Sequence, residues 1–228
     1  MRQGDGKKPV DPNVITTLEN AVLQADMKTG RNILREAAAA YGYETLISEV
    51  FEPIFTDIGE RMKRQEVSLA QSYVLSLMVD DLLRIDQTAS GAGKRMARRG
   101  PVVLANIEDD CHPLGRKIVS TILRLHDWDV CDLGIDVEAR LIAQKAVEVK
   151  ARVIGVSAMI FTTAENIRKV REEIDARGYR GRILLAVGGA VFRLRPELAA
   201  GVGADGTAAN AVAALTLFED LWRKAEEW

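Results

Sequence analysis

The sequence predicts a doubly wound α/β domain with a parallel five-stranded sheet, preceded by an all-α region of four helices. Three observations carry this. From Pro101 onward, short apolar runs alternate with amphipathic stretches, the pattern of parallel strands joined by crossover helices. Before residue 87 the apolar residues recur at helical spacing. Between the two, QTASGAGKRMARRG at 87–100 is small, polar and basic, as a connector is. The domains expected are therefore a helical bundle cap at 1–86, a linker at 87–100 and an α/β domain at 101–228.

In the first region, Val14, Leu18 and Val22 follow an Asp11-Pro12 start signal. Asp26 can cap a second helix carrying Ile33, Leu34, Ala37 and Ala38, which Tyr41-Gly42 closes. A third carries Leu46, Ile47, Val50, Ile54, Ile58 and Met62, and Pro53 should kink or split it. Ser68 opens a fourth, with Leu69, Tyr73, Val74, Leu77 and Met78 expected on its apolar face. Four such helices make a small bundle. Lys94, Arg95, Arg98 and Arg99 read as a solvated connector rather than a nucleic-acid patch.

In the second region, VVLANI, WDVCDLG, RVIGVSA and RILLAVGG are strands separated by GRKIVSTILRLH, ARLIAQKAVEVK and AENIRKVREEIDARG as helices. A short helix is expected near Pro196. A last strand falls at Ala204-Asp205-Gly206, and a final helix runs from Ala208 to Glu227. The order predicts a flavodoxin-like sheet of the Rossmann type, which binds ligands at the carboxyl ends of its strands, at the switch point.

A formal net charge of −2 calls for neither a nucleic-acid nor an acidic-membrane partner. No run approaches the roughly 20 apolar residues of a membrane helix, and the N-terminus lacks the apolar stretch of a signal peptide. Cys111 and Cys131 read as reduced thiols. A cytoplasmic protein is expected.

The chemistry-bearing residues gather at three strand ends. The first loop is Asp109-Asp110-Cys111-His112-Pro113-Leu114-Gly115, with the spacing Asp-x-His-x-x-Gly. The loop after the third strand holds Ser157, Ala158, Met159, Thr162 and Thr163, and that after the fourth holds Gly188 and Gly189. Neutral imidazole suits cobalt. Asp110, two residues before His112, can take its second ring N–H, as carboxylates do behind metal-bound histidines. Gly115 lets a helix start close to a bulky ligand, and Gly188-Gly189 clears side chains from the cleft. Cys131 and His126 read as structural.

With these pieces in order, residues 101–215 resemble the cobalamin-binding domain of methionine synthase, methyltransferase corrinoid proteins and cobalamin-dependent mutases. The likeness extends to Asp132-Leu133-Gly134-Ile135-Asp136-Val137, to Ser157-Ala158-Met159 with Met in place of Leu, to Val187-Gly188-Gly189-Ala190 and to Gly203-Ala204-Asp205-Gly206. The resemblance implies cobalamin as cofactor and His112 as the lower ligand of its cobalt. It implies Asp110 behind His112, Thr163 behind Asp110, and Ser157, Gly188 and Gly189 along the channel for the displaced nucleotide tail. Gly115, Met159 and Gly206 complete the cofactor-binding set; no catalytic residue is assigned. Asp109 replaces the usual Gly, and Pro113-Leu114 replaces Asp-Ile; neither change removes a ligand. The helical region resembles the bundle that caps the upper corrin face.

Two roles follow from the resemblance. One is a methyl-carrying corrinoid subunit served by methyltransferase enzymes, itself not a complete enzyme. The other is a cobalamin-dependent sensor acting through a regulatory protein. The Trp that packs near the adenosyl group in light-receptor caps has no counterpart, since Trp128, Trp222 and Trp228 all lie in the α/β region. That favours the carrier.

Overall fold

Asp11 accepts a hydrogen bond from the Asn13 N–H at 2.9 Å and so caps α1 (Pro12–Leu23). Asp26 does the same for α2 (Met27–Tyr41), taking the Thr29 N–H at 3.0 Å, and Gly42 ends that helix at φ +78°. Both caps satisfy donors that the first turn leaves unpaired. The computed structural model describes residues 9–89 and 99–226, which fall in two compact units, Met1–Gly93 and Lys94–Trp228.

In the first unit the expected third helix is broken. A short α3 (Tyr43–Leu46) leads into a π-helical turn (Ile47–Phe51), and α4 (Glu52–Lys63) follows. Pro53, near the start of α4, has no N–H to give the preceding turn. The widened turn, with the Glu52 N–H on the Ile47 carbonyl, absorbs the mismatch. The last helix, α5 (Leu69–Ala89), departs from expectation in its buried face. Leu75, Met78 and Val79 are buried, whereas Tyr73 is 62% and Leu77 37% exposed. Apolar residues run almost unbroken from Val74 to Val79 except for Ser76, so spacing alone does not single out a face. At Gly30 a Cβ would lie 2.3 Å from the Met78 sulfur, so α2 and α5 meet closely there. Because α5 reaches Ala89 and the first strand begins at Arg99, the ends of the expected connector belong to these elements. Its remainder, with Lys94, Arg95 and Arg98, lies outside the described residues.

The second unit is the parallel sheet. Strands β1 (Arg99–Asn106), β2 (Trp128–Asp132), β3 (Val153–Ser157), β4 (Leu184–Gly188) and β5 (Gly206–Thr207) lie in the order β2-β1-β3-β4-β5, all parallel. Between them run α6 (Leu114–Leu125), α7 (Ala139–Glu148), α8 (Phe161–Ala176), the short α9 (Ala190–Leu194) and α10 (Leu198–Gly201), and finally α11 (Ala211–Lys224). Two short helices thus flank Pro196 where one was expected.

Both faces of the sheet are covered, as its unbroken apolar strands require. Val103, Ala105, Ile154, Val156, Leu185 and Val187 face a core completed by α7 and α8. Val102, Leu104, Val153 and Ala186 face the other, with Leu123 of α6 and Phe218 and Leu221 of α11. Gly155 lets that second layer close: a Cβ there would lie 2.6 Å from both Leu104 Cδ2 and Phe218 Cζ. The switch point falls between β1 and β3. Among the described residues no helix is long and apolar enough to cross a membrane.

Candidate functional site

Asp110 organises the switch point. Its carboxylate is fully buried, a costly position unless each oxygen is satisfied. Oδ1 accepts the backbone N–H of His112 at 2.8 Å and the Asn106 amide at 3.3 Å, and lies 3.1 Å from His112 Nδ1. Oδ2 accepts the Met159 backbone N–H. Thr163, expected behind Asp110, stands 3.5 Å from Oδ2, while its hydroxyl donates to the Ile160 carbonyl at 3.0 Å. The backbone of Met159 is therefore the closer support.

A carboxylate facing Nδ1 fixes the proton there and leaves Nε2 with its lone pair. Among the described residues Nε2 has no protein hydrogen bond. The ring is 59% exposed, although the aspartate behind it is buried. A buried carboxylate holding an exposed imidazole by one nitrogen presents the other for coordination. Among the described residues no three His, Cys, Asp or Glu side chains group to hold a metal ion. A lone imidazole suits a metal whose remaining ligands arrive with it.

The loop is braced from outside. Asp109 adopts φ +68°, and its N–H donates to Asp136 Oδ1 at 2.8 Å; the Asp136 N–H returns to the Asp110 carbonyl at 3.2 Å. Thus the Asp132–Val137 stretch locks the loops after β1 and β2 together. Asp109, which replaces the usual Gly, also accepts the Asn166 amide at 3.3 Å.

Around His112 the same sheet edge carries apolar side chains left in water. Ile135 is 43% exposed, Met159 43%, Ile160 52%, Phe161 45% and Leu194 67%. Apolar side chains exposed at one sheet edge mark a surface that an apolar partner can cover. Of these, sequence reasoning places Met159 in the cofactor-binding set and Ile135 only within the Asp132–Val137 motif, because an isolated apolar residue reads as one more core contact.

Beside the histidine loop, a pocket opens between the sheet and helices α6 and α11. Its volume, counting the part open to solvent, is about 480 Å³, and Gly115, Ser157 and Gly188 line it together with Leu104, Leu217 and Phe218. A Cβ on Gly115 or Gly188 would meet nothing within 4 Å, so both glycines keep this space clear. Gly189 lies behind it, at φ +109°, packed against the Ala158 carbonyl. Gly206 is set back in β5 against Leu217 Cδ1, 2.6 Å from where its Cβ would stand. The expected residues therefore form two adjoining groups: Asp110, His112, Met159 and Thr163 in one; Gly115, Ser157 and Gly188 in the other. Two buried residues escaped the sequence reading, Asn106 and Arg116, and both bear on His112.

The cysteines provide an independent check on this geometry. Cys111 is exposed beside His112; Cys131 packs against the core, and burial pushes its thiol up from the ordinary value, with Lys145 opposing. Thiolate is the reactive form. A thiol reagent at neutral pH should label Cys111 quickly and Cys131 much more slowly, as read by peptide mapping over time. Equal rates at the two cysteines would contradict the burial of β2.

A family model described as the B12 binding domain matches residues 100–216. Dimethylamine corrinoid protein 2 of Methanosarcina mazei is 36% identical over 140 residues, 61% of this chain; the match spans 63% of that relative. Among solved structures, the Methanosarcina barkeri monomethylamine corrinoid protein superposes with a TM-score of 0.78 at 19% identity, covering 92% of this chain and all of that one. The methanol:cobalamin methyltransferase complex MtaBC from Methanosarcina barkeri contains a chain matching at 0.51 and 18% identity, covering 96% of this chain and 83% of its own.

Proposed function

We propose, since this chain belongs to the family of B12-binding domains, that it is the methyl-carrying corrinoid protein of a methyltransferase system. The observation that carries the site assignment is the buried Asp110 holding Nδ1 of an exposed His112 at the carboxyl edge of the sheet. Cobalamin, when bound, supplies a cobalt that takes up and gives up a methyl group. His112 Nε2 would be its lower ligand. The Asp110 carboxylate keeps the ring in one tautomer and one orientation. The exposed rim of Ile135, Met159, Ile160 and Phe161 would meet the corrin, and the pocket of Gly115, Ser157 and Gly188 would receive the nucleotide tail that His112 displaces.

The relatives' names support the carrier over the sensor, since they are corrinoid proteins of methylamine systems. A chain of the same fold occurs in a methanol:cobalamin methyltransferase complex, which supports methyltransferase enzymes as partners here.

Loading the purified chain with hydroxocobalamin and removing the excess by gel filtration should leave one cobalt per chain. A chain that retains none would sink the assignment. The adenosylcobalamin complex, passed over a sizing column in darkness and after green light, should elute unchanged. A light-dependent change of mass would replace the carrier with a sensor and leave cobalamin binding intact.

A further inference from the structure

Arg116 is charged, sits in the first turn of α6 and is only 6% exposed. Its guanidinium spans two strand ends: Nη1 ion-pairs with Asp132 at the end of β2, and Nε donates to Asn106 Oδ1 at 2.8 Å at the end of β1. Asn106 is fully buried. On its other side, Nδ2 donates to the His112 carbonyl at 3.0 Å and to Asp110 Oδ1 at 3.3 Å.

The donor and acceptor chemistry gives this chain a direction. A guanidinium can only donate, so the atom of Asn106 facing it must be the oxygen. The amide nitrogen is then forced toward the His112 carbonyl and the Asp110 carboxylate, both acceptors. A flipped amide would set donor against donor at Arg116 and acceptor against acceptor at His112. Arg116 thereby selects the one amide orientation that grips the histidine loop. The same arginine lines the pocket next to Gly115, so it is the shared member of the pocket wall and of the network behind His112.

We propose that Arg116 and Asn106 are positioning residues that couple the tail pocket to His112, so that filling the pocket and presenting the imidazole favour each other. This rests on the reading above that the nucleotide tail enters this pocket. The coupling works through hydrogen bonds that fix where the His112 backbone sits; neither residue touches the reacting atoms.

The test uses the full chain and two probes, cobalamin and cobinamide, which lacks the nucleotide tail. Two readouts apply: the ratio of their dissociation constants, and the nitrogen splitting from histidine in the electron paramagnetic resonance spectrum of the reduced cobalt(II) form. Wild type should prefer cobalamin and show the histidine splitting. Arg116→Met keeps the apolar stem and removes the donors. It should lower the cobalamin preference about tenfold, the equivalent of roughly one strong buried hydrogen bond, and weaken the splitting. Asn106→Ala leaves the pocket wall intact and should reproduce both effects, and the double variant should add little to either single one. Because Asn106 lies outside the pocket, it decides the matter if Arg116→Met folds poorly. Variants with wild-type ratio and splitting overturn the coupling alone. A wild type that binds cobinamide as tightly as cobalamin overturns the tail-pocket reading, and the coupling with it.

Discussion

His112→Ala should abolish histidine coordination of cobalt while leaving the apoprotein folded. Substitutions behind a metal-bound histidine typically cost about 10- to 100-fold in affinity, so removing the ligand itself should cost about 100-fold or more in cobalamin affinity. The apoprotein should tolerate the change because the side chain is 59% exposed and contributes little packing. Asp110 is not orphaned either. Its Oδ1 still accepts the backbone N–H at position 112 and the Asn106 amide, and its Oδ2 still accepts the Met159 N–H. The expected loss of apoprotein stability is therefore within about 1 kcal/mol. Two measurements check this: the visible and electron paramagnetic resonance spectra of the loaded variant, and urea unfolding of the empty one. A variant with wild-type affinity and unaltered spectra would remove His112 from the cobalt. Loss of binding together with loss of folding would instead make the loop a structural element first.

The parts of this site that the sequence makes legible are those carried by short-range chemistry. The apolar runs from Val102 to Val187 predict their strands because buried parallel strands tolerate few polar residues. The Asp110-His112 spacing predicts the carboxylate behind the ring, and the 3.1 Å contact to Nδ1 agrees with it. What escapes is whatever depends on three-dimensional partners. Arg116, in the first turn of a helix, reads as a solvated charge; its burial becomes intelligible only when β1 and β2 bring Asn106 and Asp132 to it. A faint signal exists in Asn106, a polar residue closing the apolar run Val102–Ala105. Thr163 shows the opposite failure. Its position was legible, but the nearer support for Asp110 is a backbone N–H, which has no letter in the sequence. On α5 the apolar residues crowd too closely to mark a face, so helical spacing puts Tyr73 and Leu77 among the buried residues although both are exposed.

Gly189→Ala should be the most damaging single-methyl change in the α/β unit, and Gly188→Ala, one residue earlier, should be nearly silent for folding. Gly189 has φ +109° and ψ 173°, a region open essentially to glycine alone. An added Cβ would lie 2.0 Å from the Ala158 carbonyl oxygen and 2.8 Å from its carbon, both backbone atoms that cannot swing away. The Ala158 N–H is also bound to the Gly188 carbonyl at 3.0 Å, which holds the ends of β3 and β4 together. Backbone strain of about 1–3 kcal/mol and overpacking of a similar size sum to roughly 2–6 kcal/mol, a large share of a domain's usual stability. Relief would require the end of β3 to retreat, and Met159, the next residue, would then leave Asp110. Gly188 differs in both respects: it is outside the positive-φ set and its Cβ would meet nothing within 4 Å. Alanine there should change stability by less than about 0.5 kcal/mol, yet it projects into the pocket and should weaken cobalamin binding. Tryptophan fluorescence during urea unfolding reads this unit directly, since Trp128 and Trp222 pack edge to face across it at 5.4 Å. A Gly189→Ala midpoint equal to wild type would show that the β3–β4 edge yields freely. The close approach could then no longer be what holds Met159 against Asp110.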